Sequence, residues 1–337
     1  MQTYQNFIGI DVSKAHLDVA LIQNAKRVSH TQIKNNIEAI SAYLEELKGQ
    51  IDLSETLFGL ESTGHYINFL VTTLVSFDCS IWVENALQIK KSMGATREKN
   101  DEIDSERIGL YAFRFQDQVR LYSPVNENIT VLKTLQTLRK KHVVHRQELE
   151  TYAKETKAFS KKAINEVIDQ HTQTLLEYLT LQIENIEKQM LEIIQNDKEL
   201  KEIYQLTTSV TGVGKVTAVH LIVMTEGFTK FDTAKQLACY AGVVPFERSS
   251  GSFKGKARVS NRANKTLKTA LHMCALSASR AKGELNDYFI RKVAEGKNKM
   301  SVINAIRNKI IQRVFACVKN KIPYDKNGLK FNNFSKG

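Results

Sequence analysis

"NFIGIDVSKAHLDVALIQ", residues 6–23, decides the fold of the N-terminal part of this 337-residue chain. "NFIGIDVSK" is a short apolar run ending in Asp11, and "HLDVALIQ" reads as a second strand joined to it by a tight connection, so the two form a hairpin. Downstream, "NNIEAISAYLEELKG" (35–49) has helical spacing. "TLFGLESTGHYINFLVTTLVSF" (56–77) reads as a strand ending near Glu61, a turn at Gly64 and a helix, and "CSIWVEN" (79–85) as another strand. A strand hairpin followed by alternating helices and strands predicts an α/β domain with a mixed sheet.

Carboxylates punctuate this pattern. In "KNDEIDSERIGLYAFRF" (99–115) Asp101 and Asp104 stand three residues apart at the start of a helix, on one face, where they repel unless a positive charge lies between them. Asp11 ends the first strand and Glu61 a later one; strand ends along one edge of an α/β sheet form its usual crevice. The helix beginning at Asp101 can pack beside them. Grouped carboxylate oxygens suit hard Mg²⁺, and two such ions would activate a nucleophile and stabilise a leaving oxygen in phosphoryl transfer. Taken singly, each residue also has a plain reading, as a turn former at a strand end or as an acid at the positive end of a helix. "GIDVSK" also reads as the phosphate loop of an actin-like ATPase, but Val12-Ser13-Lys14 offers one hydroxyl and no glycine to wrap a phosphate.

Composition sets the wider frame. The length allows two or three domains, and 42% hydrophobic residues fill their cores. No apolar run approaches the roughly 18 residues of a membrane span, and the N-terminus lacks the basic-then-apolar order of a signal peptide, so the expectation is a cytoplasmic protein without a membrane partner. Cys79, Cys239, Cys274 and Cys317 form no C-x-x-C pair, which suggests neither a zinc site nor a disulfide framework. The net charge of +12 is unevenly spread. Residues 201–337 carry 25 Lys and Arg against 8 Asp and Glu, whereas residues 1–115 carry 11 against 15 and residues 116–200 carry 12 against 13. Positive charge this concentrated usually faces a polyanion, most commonly nucleic acid; the other reading is a solvated lysine-rich surface.

Between Gly109 and Gly212 there is no glycine and Pro124 is the only proline, so long helices are expected. Leu176, Leu179, Ile183, Ile186, Met190 and Ile193 step by three and four as in a coiled-coil seam, which serves equally a helical hairpin within the chain or a dimer interface. In "LTTSVTGVGKVTAVHLIVMTE" (206–226), Gly212 and Gly214 make a turn between helical runs 199–209 and 215–226. That turn is either a plain connection or a helix-hairpin-helix whose free amides and Lys215 face a DNA phosphate. After Pro245 the sequence reads as a flexible loop holding Ser249, Ser250, Gly251, Ser252 and Gly255, followed by a basic helix. With Lys254, Lys256, Arg258, Arg262 and Lys265 around it, that loop reads as phosphate-binding.

The order of "IGIDVSK", "GLESTGHY", "KNDEIDSERIGLYA", a glycine-free helical stretch, "LTTSVTGVGKVTA" and "YAGVVPFERSSGSFKG" resembles the insertion sequence 110 family of transposases, which includes Piv-type DNA invertases. The similarity runs over about residues 5 to 320. It implies an α/β plus all-α chain: an RNase H-like (RuvC-like) domain at 1–118, a helical coiled-coil segment at 119–200, a transposase domain with helix-hairpin-helix and serine loop at 201–322, and a polar tail at 323–337. It further implies that Asp11, Glu61, Asp101 and Asp104 are an Asp-Glu-Asp-Asp site for Mg²⁺. By the S-G-x-x-x-G match of Ser250, Gly251 and Gly255, it implies that Ser250 attacks a DNA phosphodiester and becomes transiently joined to the strand, the two domains building one composite site. A non-coding bridge RNA pairing with target and donor DNA, and a homodimer or homotetramer assembled through the helical segment, are implied likewise. The family's S-K-x-G-N run is here Ser260-Asn261-Arg262-Ala263-Asn264. A site-specific invertase, a RuvC-like nuclease using water, and a non-catalytic nucleic-acid-binding protein are the other readings of the same residues.

Overall fold

Alternation along β1 (Asn6–Val12) sends Phe7, Gly9 and Asp11 to one face of a sheet and Ile8, Ile10 and Val12 to the other. The computed structural model in which this is seen describes residues 3–62, 64–94, 101–124, 126–250, 253–259 and 263–325, with the backbone alone at 246–250 and 253–258. The chain divides into two units, Met1–Pro124 and Val125–Gly337.

In the first unit, β1 is followed by β2 (His16–Gln23), β3 (Lys26–Lys34), α1 (Ile37–Lys48), β4 (Thr56–Glu61), α2 (Asn68–Ser76), β5 (Ser80–Glu84), α3 (Ala86–Ser92) and α4 (Asp101–Arg114). The strands lie in the order β3-β2-β1-β4-β5, antiparallel from β3 to β1 and parallel from β1 to β5. This is the mixed sheet expected of the segment. β3 and α3 were not anticipated. "KRVSHTQIK" is largely exposed and polar, so it gives no apolar alternation; backbone pairing to β2 holds it, across a tight turn whose Asn24 and Ala25 take the left-handed φ of 51° and 61° that such a turn needs.

Each face of the sheet is covered. Ile8, Ile10, Val19, Leu21, Phe58 and Leu60 pack with Ile40, Leu44, Leu70 and Leu74 of α1 and α2. The opposite face, with Phe7, Ile22, Leu57 and Trp82, is covered by Ile108, Tyr111 and Ala112 of α4. Here the approach is unusually close: a Cβ on Gly9 would lie 2.1 Å from the backbone nitrogen of Gly109 and 2.1 Å from the carbonyl of Ser105. Gly59, the register partner of Gly9, meets side chains of the same helix, Ala112 at 3.2 Å and Ile108 at 3.3 Å.

The second unit is almost wholly helical. α5 (Glu127–Ala158) and α6 (Lys162–Asn196) form an antiparallel hairpin, followed by α7 (Lys198–Ser209), α8 (Lys215–Met224), α9 (Ala234–Tyr240), β6 (Pro245–Ser250), β7 (Phe253–Val259), α10 (Lys265–Ala278), α11 (Glu284–Ala294) and α12 (Lys299–Asn320). The expected seam is used within the chain. Leu179, Ile183, Ile186 and Met190 are buried, and Ile194 rather than Ile193 takes the last buried position as the hairpin joins the helical core around Leu221, Leu271 and Ile310. Among the described residues no helix is long and apolar enough to cross a membrane.

The flexible loop expected after Pro245 is instead a two-stranded hairpin, β6 paired antiparallel with β7 and Ser250 opposite Phe253. The serines and glycines suggested a loop, but the alternating run 253–259 supports a strand.

Gly9→Ala should drive α4 off the sheet, because the obstructing atoms are backbone and have no rotamer to move to, at a cost of about 3 kcal/mol. Gly59→Ala, whose nearest contacts, Ala112 Cβ at 3.2 Å, Ile108 Cγ2 at 3.3 Å and the Ile108 carbonyl at 3.4 Å, are tight but not overlapping, should cost about 1 kcal/mol. Denaturation followed by fluorescence of Trp82, the single tryptophan, which packs 5.0 Å from the Tyr111 ring in this interface, reads the difference. Equal stabilities for the two variants would contradict the close-approach argument.

Candidate active site

Strand register lines up carboxylates on the α4 side of the sheet. Asp11 is opposite Asp18 on β2, Glu61 follows the residue paired with Ile10, and Glu61 is opposite Glu84 on β5. All four share the face of Gly9 and Gly59. The outer two are engaged locally. Asp18, buried, accepts from Gln32 Nε2 at 3.2 Å on both oxygens and pairs with His30 at 3.2 Å. Glu84 accepts from the Asn85 amide at 2.7 Å and from the Tyr111 hydroxyl at 3.3 Å.

The inner two, Asp11 and Glu61, face the start of α4. The stripe of α4 that packs on the sheet runs through Ala112, Ile108 and Ser105, and one further turn toward the N-terminus it reaches Asp104 and Asp101. The neighbouring acids are drawn aside, since Arg27 of β3 pairs with Glu102 at 2.8 Å and Glu106 at 3.1 Å. Arg107 lies 3.7 Å from Asp104 and donates to the Gly94 carbonyl at 2.9 Å, which ties the helix to the segment before it. Asp11 registers the gathering: burial first, then the charges of Asp101, Asp104 and Glu61, push its carboxyl up to about 6, against a small opposing effect of the Val12 amide. The structure therefore brings the four sequence-predicted carboxylates into one electrostatic neighbourhood.

Among the described residues no three His, Cys, Asp or Glu side chains already converge on a point that could hold an ion. The donor set itself fits a divalent cation. It is all oxygen, half-buried at Asp11, Glu61 and Asp104 and exposed at Asp101, and carries a proton affinity on Asp11 that a hard cation would displace. Sequence reasoning passed over Asp18 and Glu84; strand periodicity places both on this face, but not their local partners.

In the second unit Gly212 has a φ of 91° and sits where a Cβ would lie 2.5 Å from the Cys274 carbonyl, so it is required by the packing of the α7–α8 turn on α10. Gly214 is different. It caps α8 without a side-chain partner, open space lies where its Cβ would be, and Lys215 beside it is exposed. This arrangement leaves the first amides of α8 accessible to an anion. Ser250 ends β6, and Lys254, Lys256 and Arg258 lie along β7. Gly251 and Arg262 lie outside the described residues. Exposed Lys265 opens α10, which Asn264 caps by accepting from the Leu267 amide at 2.9 Å while donating to the Tyr240 hydroxyl at 3.0 Å.

Two family models match the chain: the DEDD-type IS110 transposase domain over residues 8–156 and the transposase IS116/IS110/IS902 family over residues 204–289. The chain is 26% identical over 327 residues to the pilin gene-inverting protein of Moraxella lacunata, covering 96% of this chain and 98% of that one. It is 31% identical over 118 residues to an uncharacterized 43.6 kDa protein of insertion element IS110 from Streptomyces coelicolor, covering 35% and 29% of the two chains. Among solved structures, RuvC of T. thermophilus in complex with a Holliday junction substrate matches 35% of this chain and all of its own, at 11% identity and a TM-score of 0.30.

The raised Asp11 value has a sign. Folded, this carboxyl binds its proton up to about pH 6, above the ordinary carboxylate range, so its contribution to stability is fully present below the unfolded value and is lost as pH rises through 6. Asp11→Asn should therefore be more stable than the parent at pH 8 in low salt without divalent ions, by about 1 kcal/mol once solvent screening is allowed for. The two should converge near pH 4, and Mg²⁺ should raise the melting temperature of the parent more than that of the variant. A variant no more stable at pH 8 would show that the four carboxylates do not share a field.

Proposed function

The chain belongs to the IS116/IS110/IS902 family of transposases, with a DEDD domain at its N-terminus, and from that premise we propose that it is an Mg²⁺-dependent, RNA-guided DNA recombinase that moves its own element through a serine nucleophile. The observation that carries the metal half of this reading is the raised Asp11 carboxyl among Asp101, Asp104 and Glu61. These four would hold the ion. When bound, it supplies charge neutralisation at the phosphodiester and at the leaving oxygen. The chain's own part is to keep the carboxylates on one face, to leave Asp11 without a proton above pH 6, and to prevent Glu102 and Glu106 from competing by pairing both with Arg27.

Ser250 supplies the nucleophile in this proposal. Its Oγ forms a bond to phosphorus as one P–O ester bond breaks, the hydroxyl proton is lost to the medium and the departing strand end takes one up. The serine–phosphate ester conserves the bond energy, so the reverse step can join a different strand without a further energy source. The excess of Lys and Arg in residues 201–337 and exposed Lys215 at the start of α8 support binding of target and donor DNA and of a bridge RNA. Assembly into a homodimer or homotetramer belongs to the same proposal, supported by exposed apolar residues on the hairpin, Leu138 and Tyr152 of α5, Phe159 just after it, and Ile164, Val167 and Tyr178 of α6.

A second reading is favoured by the comparisons themselves: the relatives matched over 96% of this chain are gene-inverting proteins, while the insertion-element proteins match over little more than a third. Inversion and transposition share the chemistry proposed here and differ in whether the gene lies beside an invertible segment or inside a mobile element.

Covalent trapping tests the chemistry. The protein is copurified with RNA from its flanking sequence, mixed with labelled target DNA and Mg²⁺, and resolved under denaturing conditions. The expected result is a protein–DNA adduct in the parent that is lost in both Ser250→Ala and Asp11→Ala. Cleavage without an adduct that survives Ser250→Ala would make water the nucleophile, and binding without cleavage would leave a nucleic-acid-binding protein.

A further inference from the structure

Arg307 on α12 is 8% exposed, and its guanidinium meets no carboxylate in the described structure. Its Nη2 donates to Nδ1 of His272 on α10 at 2.6 Å, so the imidazole is the acceptor and is neutral there, and its Nε is buried without a partner. No acid can arrive from either helix, because neither residues 265–278 nor residues 299–320 contain an Asp or a Glu. Two other cations of α12 are served differently: Arg313 pairs with Glu284 at 2.7 Å, and Lys309 lies 4.8 Å from the ring centre of Tyr288. A buried guanidinium set against a neutral ring forfeits its hydration with no Coulombic return.

His272 lies on the face of α10 that begins with Lys265 and Lys268, at spacings of seven and four residues. We propose that Arg307 and His272 form a phosphate clasp, in which a phosphodiester of a bound nucleic-acid strand supplies the anion that Arg307 lacks, with Lys265 and Lys268 guiding the strand along α10. The clasp deepens the reading of residues 201–337 as nucleic-acid-binding and rests on it. Arg307 and His272 are then positioned by the helix packing before the strand arrives, so the cost of burying the charge is met during folding and offset on binding.

The test uses the full chain with two probes, a duplex DNA and a single-stranded RNA of the same sequence, titrated over a salt series beside melting curves without nucleic acid. Arg307→Met keeps most of the volume and removes the charge. It should melt no lower than the parent, bind about tenfold more weakly, and flatten the slope of log K against log salt by about 0.9 for the duplex or 0.7 for the single strand. Arg307→Lys should retain the parent slope. A loss confined to one probe assigns the clasp to DNA or to RNA. An Arg307→Met chain that melts markedly lower or fails to fold, or one that binds both probes with the parent slope, overturns the clasp and makes the guanidinium a structural link between α10 and α12. A parent chain whose own affinity hardly depends on salt would instead sink the underlying nucleic-acid reading.

Discussion

The first unit depends on one contact, the seat of Gly9 against the backbone of α4 at Gly109 and Ser105. A helix normally rests on a sheet with side chains between them; here the residues that would hold the surfaces apart are glycines on both sides. The closeness has a directional consequence. It brings the N-terminal turn of α4 to the C-terminal end of β1, two residues beyond Gly9, where Asp11 stands. The position of the carboxylates is thus a result of packing at residues that carry no chemistry, and the buried hydroxyl of Ser105, donating to the Glu102 carbonyl at 2.8 Å, secures the turn between the contact and the acids.

Electrostatics then distinguishes the carboxylates that the sheet lines up. Asp18 and Glu84 spend their lone pairs on local donors, Gln32 for the one and Asn85 and Tyr111 for the other, whereas Asp11 is raised by burial and then by the charges of residues from α4 and β4. Repulsion of this kind is tolerated when the native state gains a ligand that relieves it. The chain has cations available to neutralise acids on α4: Arg107 stands 3.7 Å from Asp104, whereas Arg27 is directed to Glu102 and Glu106. A side-chain cation set against Asp11 itself would have stabilised the fold and competed with a metal ion there.

How much of this was legible in the sequence follows from what each signal measures. Asp11 and Glu61 were readable because each closes a dense apolar run, and Asp101 and Asp104 because helical spacing alone puts them on one face. The role of Gly9 was not readable, since its reason is the backbone of a helix a hundred residues later. β3 escaped because it is held by backbone pairing and a left-handed turn rather than by an apolar pattern, and the serine hairpin because its glycines and serines suggest a loop. The coiled-coil repeat was readable as a seam, but its partner was not; α5 supplies it, and the register shift to Ile194 reflects the merging of the hairpin with the core. Arg307 carries no sequence signal, because its isolation is defined by the absence of acids on two helices that meet only in the fold.

The two units place opposite electrostatic demands on one class of ligand. The first gathers negative charge that only a cation relieves, and the second gathers positive charge that only an anion relieves. On the proposed reading a phosphodiester with its divalent ion answers both.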